Sequence, residues 1–212
     1  SRGWAVADVD YRGSTGYGRS YMNALDGQWG VIDVADCVAA ARFLVAADQV
    51  DVNRIAIKGG SAGGLTVLAA LSGYDDFSAG SCRYGVADLE ILANDTHKFE
   101  SRYLDRLIGP YPEDREVYVA RSPIHQTENF QNPMIILQGS EDAVVPPNQS
   151  ELIVQALKTR GIRHSYLLFE GEGHGFRKSE NIVKALESEY SFFSQIFGFE
   201  PFDDIELTPI VQ

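Results

Sequence analysis

Gly59-Gly60-Ser61-Ala62-Gly63-Gly64 lies between a short apolar run, Arg54-Ile55-Ala56-Ile57, and a helix-like run from Leu65 to Leu71. Strand, glycine-flanked serine, helix is the context that a nucleophile elbow requires. In so tight a turn, side chains at the flanking positions would collide. Glycine at 59 and 63 removes the collision and leaves Ser61 exposed at the tip of a strand. The Ala62 N–H then falls at a helix N-terminus, where partial positive charge can hold an oxyanion. An ordinary glycine-rich turn with an incidental serine has the same local pattern, so the rest of the chain must supply the partners.

Strand-like and helix-like runs alternate on both sides of this turn. Trp4 to Val9 reads as a buried strand, Val31 to Ala47 as a helix, and Arg83 to Val86 as a short strand. Asp88 to Arg106 is mixed and reads as helical from about Phe99. Glu113 to Val119 reads as a short helix, and Met134 to Gln138 as a buried strand. Pro147 to Arg160 reads as a helix, His164 to Phe169 as a strand and Ser179 to Phe197 as a helix. Such alternation predicts an α/β fold, a mostly parallel sheet with helices on both faces. One domain is expected over 1–198, followed by an acidic tail, 199–212, without a clear period.

The chain has 212 residues, 44% of them hydrophobic, which is enough for a sizeable core. Its net charge of -12 argues against nucleic acid as a partner and against adhesion to anionic membranes. No apolar run approaches the length of a membrane span. Cys37 and Cys82 lie in apolar contexts and read as buried, reduced thiols, which fits a cytoplasmic location. The start, Ser1-Arg2-Gly3-Trp4, has neither a signal-peptide pattern nor an initiator methionine. Arg12-Gly13-Ser14-Thr15-Gly16-Tyr17-Gly18 does not fit the dinucleotide spacing G-x-G-x-x-G. The histidines are scattered without ligand spacing and no C-x-x-C occurs, so neither a metal nor a cofactor is implied.

A serine hydroxyl must lose its proton as it attacks, and a neutral imidazole is the usual acceptor at pH 7. His174, in Gly171-Glu172-Gly173-His174-Gly175-Phe176, follows the strand that ends at Phe169. Open α/β sheets gather their sites in such loops. His97 is the second candidate; His125 and His164 are less well placed. The imidazole needs an acid to fix its tautomer. Asp142, in Gln138-Gly139-Ser140-Glu141-Asp142, also follows a strand, with Glu141 as its rival and a turn or capping aspartate as the alternative. The chain order Ser61, Asp142, His174 is that of an α/β-hydrolase.

Five segments carry a family resemblance: Asp10 to Gly18, Gly59 to Gly64, Gly139 to Pro146, Glu172 to Phe176 and Thr96-His97-Lys98-Phe99-Glu100-Ser101-Arg102-Tyr103. From about Trp4 to Phe197 the chain resembles the C-terminal catalytic domain of the prolyl oligopeptidase family of serine peptidases, and within it the acylaminoacyl-peptidase and dipeptidyl-aminopeptidase relatives. The resemblance implies cleavage of short peptides or aminoacyl amides through an acyl-enzyme. Ser61 would be the nucleophile, His174 the base and then the acid, Asp142 its orienter and Ala62 an oxyanion donor. It implies an apolar pocket for the residue before the cleaved bond, with Val86, Leu92 and Phe99 as walls. Glu100 and Arg102 are expected near the site, either with Glu100 on the substrate's α-amino group or as a structural Glu–Arg pair. A carboxylesterase or thioesterase on the same fold, and an inactive piece that needs its missing part, are the alternatives.

The chain departs from the family pattern in three places. The tyrosine that serves as second oxyanion donor would lie upstream of Ser1, as would the size-filtering β-propeller. Val144 stands where some relatives have a polar residue. The family's sheet has eight strands in the order 1-2-4-3-5-6-7-8, of which this chain would supply the fourth to the eighth. The third would sit between Trp4–Val9 and Arg54–Ile57, so the first strands are expected to be lacking. The expectation is a piece of a longer polypeptide, with either an unusual sheet edge or a homodimer formed across it.

Overall fold

The computed structural model describes residues 3–95 and 102–212. His97, Phe99 and Glu100, expected near the site, lie outside the described residues. Two helices come first, α1 (Arg19–Asn23) and α2 (Ile32–Ala46). Strands and helices then alternate: β1 (Ala56–Gly60), α3 (Ala62–Gly73), β2 (Ala79–Arg83), α4 (Leu89–Asp95), α5 (Tyr103–Leu107), α6 (Arg115–Arg121), β3 (Met134–Gly139), α7 (Pro147–Thr159), β4 (His164–Phe169) and α8 (Ser179–Phe197). The four strands pair in chain order, β1-β2-β3-β4, and every pair is parallel.

Strand parity sorts the core into two layers, because successive side chains leave opposite faces. Met134 and Ile136 of β3 join Ile57 and Cys82 under α2, α3 and α7. Ile135 and Leu137 join Ala79 and Phe169 under Ala185, Phe192 and Phe193 of α8. Helices therefore cover both faces, as the alternation predicts. A third cluster, built around Trp29, Leu65, Val86, Leu89, Tyr118 and Val145, caps the end of the sheet where the strands stop.

Two expected strands are corrected. Trp4–Val9 forms no strand, and Val6 is 88% exposed. The Trp4 ring packs instead on Phe193, Phe197 and Phe199, at centroid distances of 5.9, 5.7 and 5.4 Å. An extended segment needs a neighbour for its N–H and C=O groups, and among the described residues no strand pairs with the outer edge of β1. The sheet thus has four strands where five were expected. The strand placed at Arg83–Val86 runs instead over Ala79–Arg83. Its small residues hide it from a propensity reading, yet Gly80 is what lets Leu71 of α3 lie against the sheet. Tyr84, with φ +39°, ends the extended run.

The last residues are fastened to the body. Thr208 N–H donates to Ser191 Oγ at 2.8 Å, and Gln195 Nε2 donates to the Thr208 carbonyl at 2.9 Å. Val211 and His164 exchange two backbone hydrogen bonds of 2.8 Å, laying the tail antiparallel along the start of β4. No described helix is long and apolar enough to cross a membrane.

On the α8 face, Lys58, Ser81 and Arg83 converge on the buried Glu189 carboxylate. Ser81 Oγ donates at 2.7 Å and Arg83 at 3.0 Å, and Lys58 forms an ion pair with it. Burial raises the Glu189 carboxyl, but the charges of Arg83 and Lys58 outweigh burial and hold it below the usual carboxylate range. Glu189→Gln is expected to cost about 2 kcal/mol near pH 7, because it leaves the part-buried Arg83 guanidinium without its carboxylate. A lowered folded pKa contributes stability above the unfolded value and loses it as pH falls through the folded one. The gap between variant and parent in urea midpoint should therefore close below about pH 4. A constant gap from pH 7 to pH 3 would contradict this.

Candidate active site

The strands end on one edge of the sheet, and the expected site residues lie just beyond their ends. Ser61 follows β1 directly, with φ 54° and ψ -118°. This backbone conformation is unfavourable for a side chain, costing about 1–3 kcal/mol, and persists only where the surroundings impose it. Here they do so through close backbone contact. A Cβ on Gly59 would overlap the Gly63 carbonyl, and one on Gly64 would overlap the Gly85 Cα. A Cβ on Gly63 would meet nothing within 4 Å. The sequence reading thus holds for Gly59, while the second obligatory glycine is Gly64 and not Gly63. The Ser61 N–H donates to the Arg83 carbonyl at 3.0 Å, tying the turn to β2. Ala62 is the first residue of α3, so its N–H has no partner within the helix.

His174 joins the other two expected residues. Its Nε2 lies 2.8 Å from Ser61 Oγ and its Nδ1 lies 2.9 Å from Asp142 Oδ2. The imidazole side chain is 23% exposed and the Asp142 side chain is fully buried. Burial raises the Asp142 carboxyl. The His174 hydrogen bond and the N–H groups of Val145 and Val144, each 2.9 Å from Oδ1, outweigh it and hold the carboxyl below its ordinary value. Val144 thus serves through its backbone. Glu141 is exposed. Of the other histidines, His125 is exposed, and His164 is buried with Nδ1 against the Ile162 carbonyl at 2.7 Å.

Several supporting residues went unread in the sequence. The Tyr84 ring stands edge-on to the His174 ring at 4.9 Å and meets Phe176 at 5.5 Å. Glu172 accepts from Arg177 N–H and Lys178 N–H, both at 2.9 Å, and from Asn181 at 2.8 Å, anchoring the His174 loop to the start of α8. Gln138, last but one in β3, donates to Asp142 Oδ2 at 3.2 Å. Gln149 Oε1 accepts from Ala87 N–H at 2.7 Å and Asp88 N–H at 2.8 Å, fixing the loop after β2 to α7. The available signal was a polar side chain closing an apolar run, as in Met134-Ile135-Ile136-Leu137-Gln138.

Val86 is 2% exposed in the capping cluster, beside Leu65 and Val145, and Leu92 packs half-buried against it. Arg102 projects into solvent and pairs with Asp105 at 2.9 Å. Burial pushes the Cys82 thiol up to about 12 and the Cys37 thiol up to about 11, so neither competes as a thiolate nucleophile.

Comparison with known proteins gives this arrangement a lineage. The sequence profile of the prolyl oligopeptidase family matches residues 1–200. The chain belongs to the prolyl oligopeptidase family. It is 32% identical to dipeptidyl aminopeptidase BIII of Pseudoxanthomonas mexicana, over 93% of this chain and 30% of that protein. A puromycin-hydrolyzing peptidase of Mycobacterium tuberculosis superposes with a TM-score of 0.93 and 47% identity, over 97% of this chain and 31% of that one. An acylaminoacyl peptidase solved with Z-Gly-Gly-Phe-chloromethyl ketone has a TM-score of 0.77 and 26% identity, over 93% of this chain and 32% of that one. The fold is the α/β-hydrolase fold of these peptidases, and the chain spans just under a third of each of these three relatives.

The glycine contacts separate two substitutions that look alike in sequence. Gly59→Ala should lower stability by about 3 kcal/mol or prevent folding, because the obstruction is backbone that cannot move aside. Gly63→Ala, at a helical position with open space, should change the melting temperature little or raise it. Equal loss in both variants on thermal melting would refute this account of the turn.

Proposed function

We propose that this chain carries the catalytic machinery of a serine peptidase, acting on short peptides or aminoacyl amides through an acyl-enzyme. One observation supports this above all: His174 bridges Ser61 Oγ at 2.8 Å and Asp142 Oδ2 at 2.9 Å. On this reading Ser61 Oγ attacks the substrate carbonyl while His174 Nε2 takes its proton. The Ala62 N–H, at the start of α3, stabilises the oxyanion that forms. His174 then passes the proton to the leaving amine, and the same imidazole activates the water that hydrolyses the acyl-enzyme. Asp142 stays ionised throughout and holds the tautomer in which Nδ1 bears hydrogen.

The apolar cluster that contains Val86, with Leu92 at its margin, offers a wall for an uncharged side chain next to the cleaved bond. The mycobacterial relative is described as puromycin-hydrolyzing. Puromycin is an aminoacyl amide, which makes aminoacyl amides the substrate class of choice.

A fluorophosphonate probe should label the protein, and labelling should vanish in Ser61→Ala. Aminoacyl p-nitroanilides should be cleaved, and Asp142→Asn should reduce kcat by about four orders of magnitude, through the wrong histidine tautomer. Turnover of p-nitrophenyl esters without any anilide turnover would favour an esterase. Absence of labelling would overturn the reading for this chain.

A further inference from the structure

We infer that Gln138 is a positioning residue for the Asp142–His174 pair, held in its working orientation by Ser150. The inference rests on the assignment of Ser61, His174 and Asp142 above, and extends it one layer inward. Among the described residues, the Asp142 carboxylate accepts four hydrogen bonds, from Val144 N, Val145 N, His174 Nδ1 and Gln138 Nε2. The two backbone donors share Oδ1, and Gln138 shares Oδ2 with the imidazole. Gln138 Nε2 also donates to the Val145 carbonyl at 3.1 Å, and its Oε1 accepts from Ser150 Oγ at 2.7 Å.

The acceptors around Nε2 decide the orientation of the amide, and Ser150 completes it. Ser150 Oγ can be an acceptor or a donor, but Gln138 places nitrogen toward a carboxylate and a carbonyl, both obligate acceptors. Its oxygen must then face the hydroxyl, which donates. A flipped amide would put oxygen against these acceptor oxygens and the Gly139 carbonyl, 3.3 Å from Nε2, at a fully buried position. The amide therefore acts as a fixed neutral donor on the oxygen that receives the His174 proton donor. It keeps the carboxylate plane aligned with the imidazole, and it tempers the basicity of Oδ2. Buried in this way, it has no access to substrate.

Other titratable groups around the pair are accounted for. Tyr84 packs edge-on against the imidazole from the loop after β2. Glu172 turns away onto the N–H groups of Arg177 and Lys178, and Glu141 is exposed. Removing the Gln138 donor concentrates negative charge on Oδ2, which favours the imidazolium and carries the acid limb of kcat/KM to higher pH.

Three variants test this. Gln138→Leu should lower kcat about tenfold to a hundredfold with KM little changed, and should move the acid limb to higher pH. Gln138→Glu keeps an acceptor for Ser150, and its carboxyl, protonated beside Asp142, supplies one O–H donor in place of the amide, so its limb should lie nearer the parent's than that of Gln138→Leu. Ser150→Ala leaves Gln138 Oε1 without its donor, loosens the amide without flipping it, and should fall between parent and Gln138→Leu. The far-downfield proton resonance of His174 Nδ1–H should shift in the same order, a readout that needs no substrate. Acid limbs and proton resonance coinciding with those of the parent in all three variants would overturn the inference, even if stability fell. Failure of the parent protein to label at Ser61 would instead overturn the underlying assignment, and this inference with it.

Discussion

Backbone meeting backbone at the ends of β1 and β2 is the constraint on which the rest of the structure depends. Gly59 touches Gly63 across the turn, and Gly64 touches Gly85 across the gap to the next loop. No side chain fits in either place, so α3 can begin immediately after a single strained residue. That residue is Ser61, and its φ of 54° is imposed by the packing around it. The same closeness sets α3 against β2 at Gly80, and it brings the Arg83 carbonyl within reach of the Ser61 N–H. A helix N-terminus, an outward hydroxyl and an adjoining strand end are thus consequences of one close approach.

The loops after β3 and β4 meet this turn because the sheet is parallel and its strands are in register. Gly59 aligns with Cys82, Cys82 with Ile136, and Ile136 with Tyr166. All four strands consequently end at a similar height, and Asp142 and His174 project from neighbouring loops. Each loop is then held by buried polar contacts. Glu172 ties the histidine loop to α8, and Gln138 ties the acid to its own strand. The aromatic contact from Tyr84 closes the third side of the imidazole.

The sequence revealed the elements whose hydrophobic period is strong and the residues whose neighbours are glycine. The boundaries of β4 and α8 agree with the pattern, and Ser61, Asp142 and His174 stand together as their motifs suggest. It misled where the signal is apolar but the partner is elsewhere. Trp4–Val9 looks like a strand, but apolar content cannot say whether a ladder is available to receive it. It was silent at β2, where Ala79-Gly80-Ser81-Cys82 is extended because a helix presses on it rather than because its residues favour strands. The contributions of Tyr84 and Gln149 depend on contacts far along the chain, and no local pattern records those.

The first turn of α7 carries two adjacent fasteners that serve different parts of the site. Gln149 holds the loop behind β2, which bears Val86, and Ser150 holds Gln138, which in turn holds Asp142. Both depend on the pitch and position of a single helical turn. A sequence change that slides this turn therefore moves the Val86 loop and the Asp142 carboxylate together. Neither segment can shift independently of the other, and variation has freer scope on surfaces that do not rest on this helix.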